Sequence, residues 1–198
     1  MHQDESGGVR LLTIMTKCLV WPALPFLAWG YGAQLFHILG TLSMRSSAVR
    51  YSLVGVAAFL PVAWVMRRYL WKPWEFVCTL EHEVTHAVAG LPFLLFPRGM
   101  RVTATEGGHL RQFWYGPLWL APLCGPGTLF SGLAPYFLPT VSYAMIGLSL
   151  LFSWQTPWVS MTLGFVTAFH VVSTWLETRY HQPDIRQAGF VFSTVFLP

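Results

Sequence analysis

Long apolar runs alternate with short basic or polar breaks along most of the chain. A helix needs about 20 apolar residues to cross a bilayer. By that measure, the hydrophobic helices are predicted at residues 19–42, 51–65, 74–96, 113–137, 141–152 and 158–180. The fifth of these is short for a crossing. A last apolar run, residues 185–197, is too short to span, and we interpret it as an interfacial or packed helix.

A polar break between the third and fourth predicted helices indicates a small β-hairpin. Residues 101–105 have strand character, Glu106-Gly107-Gly108 forms a turn, and residues 109–112 return. A hairpin at membrane depth must be shielded by protein or line a wet cavity. The predicted fold class is therefore an all-α polytopic membrane protein of about six hydrophobic helices, with a small β-hairpin after the third.

Composition and charge support a membrane location. Hydrophobic residues make up 54% of the 198 residues and charged residues only 10%, whereas soluble domains carry about 25% charged residues. The net charge of +4 is concentrated in short basic clusters between apolar runs, which is typical of contacts with lipid headgroups. No nucleic-acid motif is present. The bilayer is therefore the predicted partner, and nucleic acid is not.

The chemistry of the sequence is concentrated in the third predicted helix, at His82-Glu83-x-x-His86. Residues four apart lie on one helix face, so the two histidines can bind one zinc ion from adjacent turns. Glu83 beside them can act as the general base on a metal-bound water. Ionisable groups inside a membrane helix are costly, which favours a functional interpretation over a polar interhelical network without metal.

Catalytic zinc usually has three protein ligands and one open position. The candidates for the third ligand are His170, Glu177, His181 and Asp184, with His37 and His109 as weaker alternatives. If every later segment crosses the bilayer, His82 and His170 lie about 12–13 Å from the same surface, at 1.5 Å per residue. This agreement favours His170, and Asp184 is the second choice. Glu177, seven residues from His170, is a candidate second-shell carboxylate for a ligand histidine, or a surface residue.

These residues resemble the site-2 protease class of intramembrane metalloproteases, and more closely its M50B-like branch. The resemblance covers roughly residues 76–198 and includes the His82-Glu83-x-x-His86 helix and the Gly107-Gly108 turn of the hairpin. The helix that follows resembles the family's small-residue helix at Gly125, Gly127 and Gly132. The C-terminal part is similar to a recurrent pattern of the M50B-like branch, whose positions here are His170, Ser173, Asp184 and Pro198.

The chain departs from this family at one informative position. Site-2 proteases supply the third ligand as Asp in a Leu-Asp-Gly run, which is absent here. His170 stands at the corresponding position, so the resemblance implies a zinc site of three histidines: His82, His86 and His170. The resemblance further implies a zinc metalloendopeptidase with Glu83 as catalytic base. Its expected substrate is a membrane-embedded or juxtamembrane segment of another protein, and its expected location is a bacterial inner membrane, which it would cross several times.

Two other functions remain open beside the protease. One is a non-catalytic scaffold or assembly subunit of the same fold, and the other is a zinc hydrolase acting on a lipid or small molecule. The predicted organisation is a polar tail at residues 1–8, N-terminal transmembrane helices at 9–72 and the metalloprotease-like membrane core at 73–198.

Overall fold

The computed structural model describes residues 46–177 apart from 106 and 155, together with the single residues 18 and 33. This part of the chain forms five α-helices and one two-stranded sheet. The helices are α1 (Ser47–Tyr69), α2 (Trp71–Gly90), α3 (Cys124–Leu133), α4 (Thr140–Leu151) and α5 (Pro157–Glu177), and the strands are β1 (Leu95–Thr103) and β2 (Gly107–Trp114). The first predicted hydrophobic segment and the last apolar run lie outside the described residues.

Two described helices, α1 and α5, are long and apolar enough to cross a membrane. They correspond to the second and sixth predicted segments. A third span is possible if residues 118–136 and α4 are taken together, although the chain bends by 91° between them. The described residues therefore support a helical membrane protein with two or three candidate spans. They contain five α-helices, and the six hydrophobic helices predicted from the sequence are not supported.

The two candidate spans pack directly against each other. Ser52 lies beside Gly164 on α5, and Phe59 lies between Phe165 and Phe169, so contacts follow the same order along both helices and the helices run parallel. A Cβ atom on Gly164 would overlap the Ser52 carbonyl, and one on Gly55 would overlap the backbone of α5. Small residues thus allow the close backbone approach that is common between membrane helices.

The third predicted segment ends earlier than the apolar pattern indicated. We predicted a helix to about residue 96, but α2 ends at Gly90 and a 3-10 turn, Leu91–Phe93, follows. Pro92 cannot donate the backbone hydrogen bond that a continuing α-helix would require. Leu94 then adopts a left-handed conformation, with φ of 60°, that turns the chain into β1. Residues 91–96 were therefore wrongly assigned to the helix; they form the 3-10 turn and the beginning of β1.

The fourth predicted segment was also wrong as a single helix over residues 113–137. Its first residues belong to β2, and a 3-10 helix, Leu118–Leu123, precedes the short α3. A second 3-10 turn, Ala134–Tyr136, then leads toward α4. Prolines recur through this segment and interrupt α-helical hydrogen bonding. They are Pro117, Pro122, Pro126 and Pro135.

The β-hairpin is confirmed, and it is longer than the sequence indicated. β1 and β2 pair antiparallel from Leu95 opposite Trp114 to Thr103 opposite Gly107, with an irregularity between Pro97 and Gly99. Gly107 has φ of +79°, a conformation that glycine adopts without steric cost. Both strands lie along α2, and one face of the hairpin therefore covers the helix that carries the candidate site.

Candidate metal centre

The candidate site lies on the buried side of α2. Glu81, His82, Glu83 and His86 are all buried, which is unusual for ionisable side chains unless they have partners. The rings of His82 and His86 meet edge to face, with centroids 4.7 Å apart. The helical spacing therefore places both imidazoles side by side on one face, as the sequence predicted.

Each of these two histidines is hydrogen-bonded at Nδ1 to an acceptor from another element. His82 Nδ1 lies 2.8 Å from Glu177 Oε2 at the end of α5. His86 Nδ1 lies 2.6 Å from the backbone oxygen of Ser131 on α3. Both oxygens are acceptors, so each Nδ1 carries the proton, and Nε2 is the lone-pair nitrogen of the neutral ring. Metal-ligating histidines are commonly held in this way.

Glu83 lies under the turn of the hairpin. A Cβ atom on Gly108 would overlap the Glu83 carboxylate, so the absence of a side chain at Gly108 leaves the space that the carboxylate occupies. Glu83 is itself 6% exposed. The glycine turn noted in the sequence thus accommodates the residue expected to act as general base.

His170 is paired with a carboxylate on the neighbouring helix. Its Nδ1 lies 2.8 Å from Glu81 Oε1, and the two residues are 7% and 8% exposed. Glu81 immediately precedes His82, so α5 brings His170 to the level of the motif, as the depth argument anticipated. Among the described residues, no group of three or more His, Cys, Asp or Glu side chains is arranged to hold a metal ion. His170 as third ligand therefore stays a prediction, and Asp184 lies outside the described residues.

Two buried contacts enclose the histidines from the side of α4. The Tyr136 ring packs edge to face on His82 with centroids 5.5 Å apart, and it is 1% exposed. Thr140 donates a hydrogen bond of 2.8 Å to Thr85 Oγ1, and Thr85 donates one of 2.9 Å to the Glu81 backbone oxygen. These contacts fix the segment between the 3-10 turn and α4 against the motif.

The donor set fits zinc as far as two ligands are concerned. Neutral imidazole nitrogen is a preferred zinc donor, and a histidine whose second nitrogen is anchored presents its ligand atom in a fixed direction. His82 and His86 meet both conditions.

Two residues at the site were not singled out from the sequence. Gln112 and Ser131 both hydrogen-bond to His86. Strand periodicity offered one signal, because Gln112 lies on the same face of β2 as Gly108, which contacts Glu83. Ser131 is a polar residue in an apolar stretch, four residues after Gly127. Neither signal specifies the partner, which depends on how the hairpin and α3 pack on α2.

Comparison of the chain with family models, curated proteins and solved structures finds no match.

Proposed function

We propose that this protein is an intramembrane zinc metalloprotease of a bacterial inner membrane, with several membrane crossings. The observation that carries the proposal is the anchoring of both motif histidines at Nδ1, by Glu177 and by Ser131, within a buried face that also holds Glu83. A polar network without metal requires no particular ring nitrogen to be occupied. In metal sites the ring nitrogen that does not bind the metal is usually held by a carboxylate or a backbone carbonyl, and both rings are held in that way here.

His82 and His86 would hold the zinc through Nε2, with His170 as the proposed third ligand and Asp184 as the second choice. When bound, zinc lowers the pKa of a coordinated water and polarises a carbonyl oxygen. The Glu83 carboxylate would accept a proton from the attacking water and deliver it to the leaving amine. Glu177 and the Ser131 carbonyl oxygen would hold the two rings in the required tautomer.

The proposed substrate is a membrane-embedded or juxtamembrane segment of another protein. Peptide bonds within a helix are shielded by its hydrogen bonds, so such a segment would have to unwind before cleavage. The hairpin lies along α2 with its Gly108 next to Glu83, and a strand in this position can pair with an extended peptide.

A second candidate function is a non-catalytic membrane scaffold. The Glu81–His170 pair fits this function as well as it fits the protease, because a buried carboxylate–histidine pair between α2 and α5 stabilises a helix interface with or without a metal. The two functions differ in one respect that can be measured: the protease requires stoichiometric metal and the Glu83 carboxylate, and the scaffold requires neither.

The first experiment measures the metal content of the purified protein by elemental mass spectrometry. We expect about one zinc per chain in the wild type and its loss in His82→Ala and His86→Ala. His170→Ala and Asp184→Ala then identify the third ligand, since only the variant lacking that ligand should lose zinc. His2→Ala, at the one histidine of the sequence that is not a candidate ligand, is the matched control. A folded wild-type protein without stoichiometric metal would overturn the proposal that the protein is a zinc protease.

The second experiment tests catalysis with Glu83→Gln, which keeps the volume of the side chain and removes its basicity. Membrane fractions of cells expressing the wild type or the variant are compared by mass spectrometry of newly formed protein termini. We expect termini that depend on the wild type to disappear in Glu83→Gln while zinc is retained. Glu75→Gln, at an exposed position of the same helix, should leave them unchanged. Zinc binding with identical termini in all three proteins would overturn the protease, and it is the result expected both of the scaffold and of a zinc hydrolase acting on a lipid or small molecule.

A further inference from the structure

His86 is held by one residue at two places, its ring and its backbone. The His86 Nδ1–H donates to the Ser131 backbone oxygen at 2.6 Å, and the Ser131 hydroxyl lies 2.8 Å from the His86 backbone oxygen. Because both the imidazole and the main chain are bonded to the same residue, the ring cannot rotate about its side-chain torsions without breaking a hydrogen bond. Ser131 is 2% exposed, so water cannot readily replace either bond.

Gln112 completes this arrangement from the hairpin. Its Nε2 donates to the His86 backbone oxygen at 2.8 Å, and its Oε1 lies 3.0 Å from the Ser131 hydroxyl. The hydroxyl has a single proton, which is shared between the His86 oxygen and Gln112 Oε1. Three elements, α2, β2 and α3, thus meet at one backbone carbonyl of the motif helix.

Local packing is adapted to this contact. A Cβ atom on Gly90, one turn after His86, would overlap the Gln112 amide. A Cβ atom on Gly127, one turn before Ser131, would overlap the Phe93 side chain. Glycine at these two positions allows the hairpin and α3 to approach α2 closely enough for Gln112 and Ser131 to reach His86.

We propose that Gln112 and Ser131 are positioning residues for the metal-binding nitrogen of His86. This inference rests on the proposed zinc site. The Glu177 carboxylate at the end of α5 anchors His82 Nδ1, and a connected group of hydrogen bonds from the hairpin and α3 anchors His86. Gln112 and Ser131 hold the His86 main chain, and the Ser131 carbonyl sets the ring direction, so the hairpin and α3 together determine where His86 Nε2 points.

The test measures zinc affinity of the purified full chain by competition with a chelating dye, in wild type, Ser131→Ala, Gln112→Leu and the double variant. Loss of a hydrogen-bond partner of a ligand ring typically lowers metal affinity by about 10–100-fold, and because these variants remove bonds to the His86 main chain and keep the Ser131 carbonyl on the ring, we expect a loss at the lower end of that range, about 10-fold, for each single variant. The double variant should lose less than the product of the two, because both residues act through one carbonyl. Ser149→Ala, whose hydroxyl bonds within its own helix, is the control.

A purely structural role is separated by two further measurements. The absorption spectrum of the cobalt-substituted protein reports ligand geometry and should change in Ser131→Ala, while Ser131→Cys, which keeps a weak hydrogen-bond donor at this position, should give a smaller effect. The positioning role is overturned if the variants melt at a lower temperature but bind zinc and cobalt as the wild type does. That result would leave the proposed zinc site standing. A wild type that binds no zinc would overturn this inference together with the proposed protease.

Discussion

The α1–α5 interface and the surroundings of α2 are held together by different interactions. At α1–α5, Gly55 and Gly164 bring two backbones into contact, and Phe59 fills the adjacent space at 1% exposure. Around α2, the neighbouring elements approach through hydrogen bonds to Glu81, His82 and His86. The first interface is formed by close backbone contact and contains few polar groups, whereas the second depends on polar partners.

This contrast separates what stabilises the fold from what shapes the site. An interface of close-packed small residues gains its energy from van der Waals contact, which requires shape but not any particular chemistry. Buried carboxylates and histidines gain stability only when their partners are in place. Mutations at the two regions should therefore produce different signatures: loss of the fold at α1–α5, and loss of site geometry with smaller stability changes near Glu83.

The largest effect is expected at the helix interface. Gly164→Leu would force α1 and α5 apart, because even a Cβ atom there overlaps the Ser52 carbonyl. We expect a loss of about 3 kcal/mol in the free energy of unfolding, at the upper end for overpacking. Gly147→Leu is the matched control, since nothing lies within 4 Å of a Cβ atom at that helical glycine. Chemical denaturation in detergent measures both, and equal stabilities would show that the interface is not tightly packed.

An intermediate effect is expected at the Glu81–His170 pair. Removing one partner leaves the other buried without its hydrogen bond, which costs about 1–3 kcal/mol. Glu81→Leu and His170→Leu, which remove the hydrogen-bonding groups, should each lower the free energy of unfolding of the metal-free protein, and the double variant should lose less than the sum. Additive losses in this double-mutant cycle would mean that the pair contributes no coupling energy.

The smallest change in stability, together with a selective change in function, is expected at the hairpin turn. Gly108→Ala places a methyl group where the Glu83 carboxylate lies, and because that carboxylate ends a flexible side chain it can move at a cost of about 1 kcal/mol. Zinc content should persist while wild-type-dependent protein termini diminish. Gly99→Ala, where a Cβ atom meets nothing within 4 Å, should match the wild type. Unchanged termini in Gly108→Ala would mean that the position of Glu83 does not limit cleavage.

Sequence patterns predicted those parts of the fold that depend on local chemistry. The existence of α1 and α5, the hairpin and the placement of His82 and His86 on one helix face follow from apolar run length, turn residues and helical spacing, although α1 extends over Ser47–Tyr69 and not only over the predicted residues 51–65. The helix boundaries near Pro92 and through residues 113–137 were missed. Apolar composition alone cannot distinguish a spanning helix from a strand followed by short 3-10 and α segments, since all of these are buried in lipid or protein and equally hydrophobic.

The partners of the site residues could not be read from the sequence to the same extent. The amino-acid order establishes that residues 81–86 of α2 carry two histidines and two glutamates in an apolar surrounding, and ionisable residues in such a segment require partners wherever they lie. Which partner each one takes is decided by tertiary packing. Glu177 reaches His82, Glu81 reaches His170, and Ser131 reaches His86 across 45 residues of chain. Hydrogen bonds of about 3 Å depend on the angle and depth at which the helices cross, and these are properties of tertiary packing and not of local sequence.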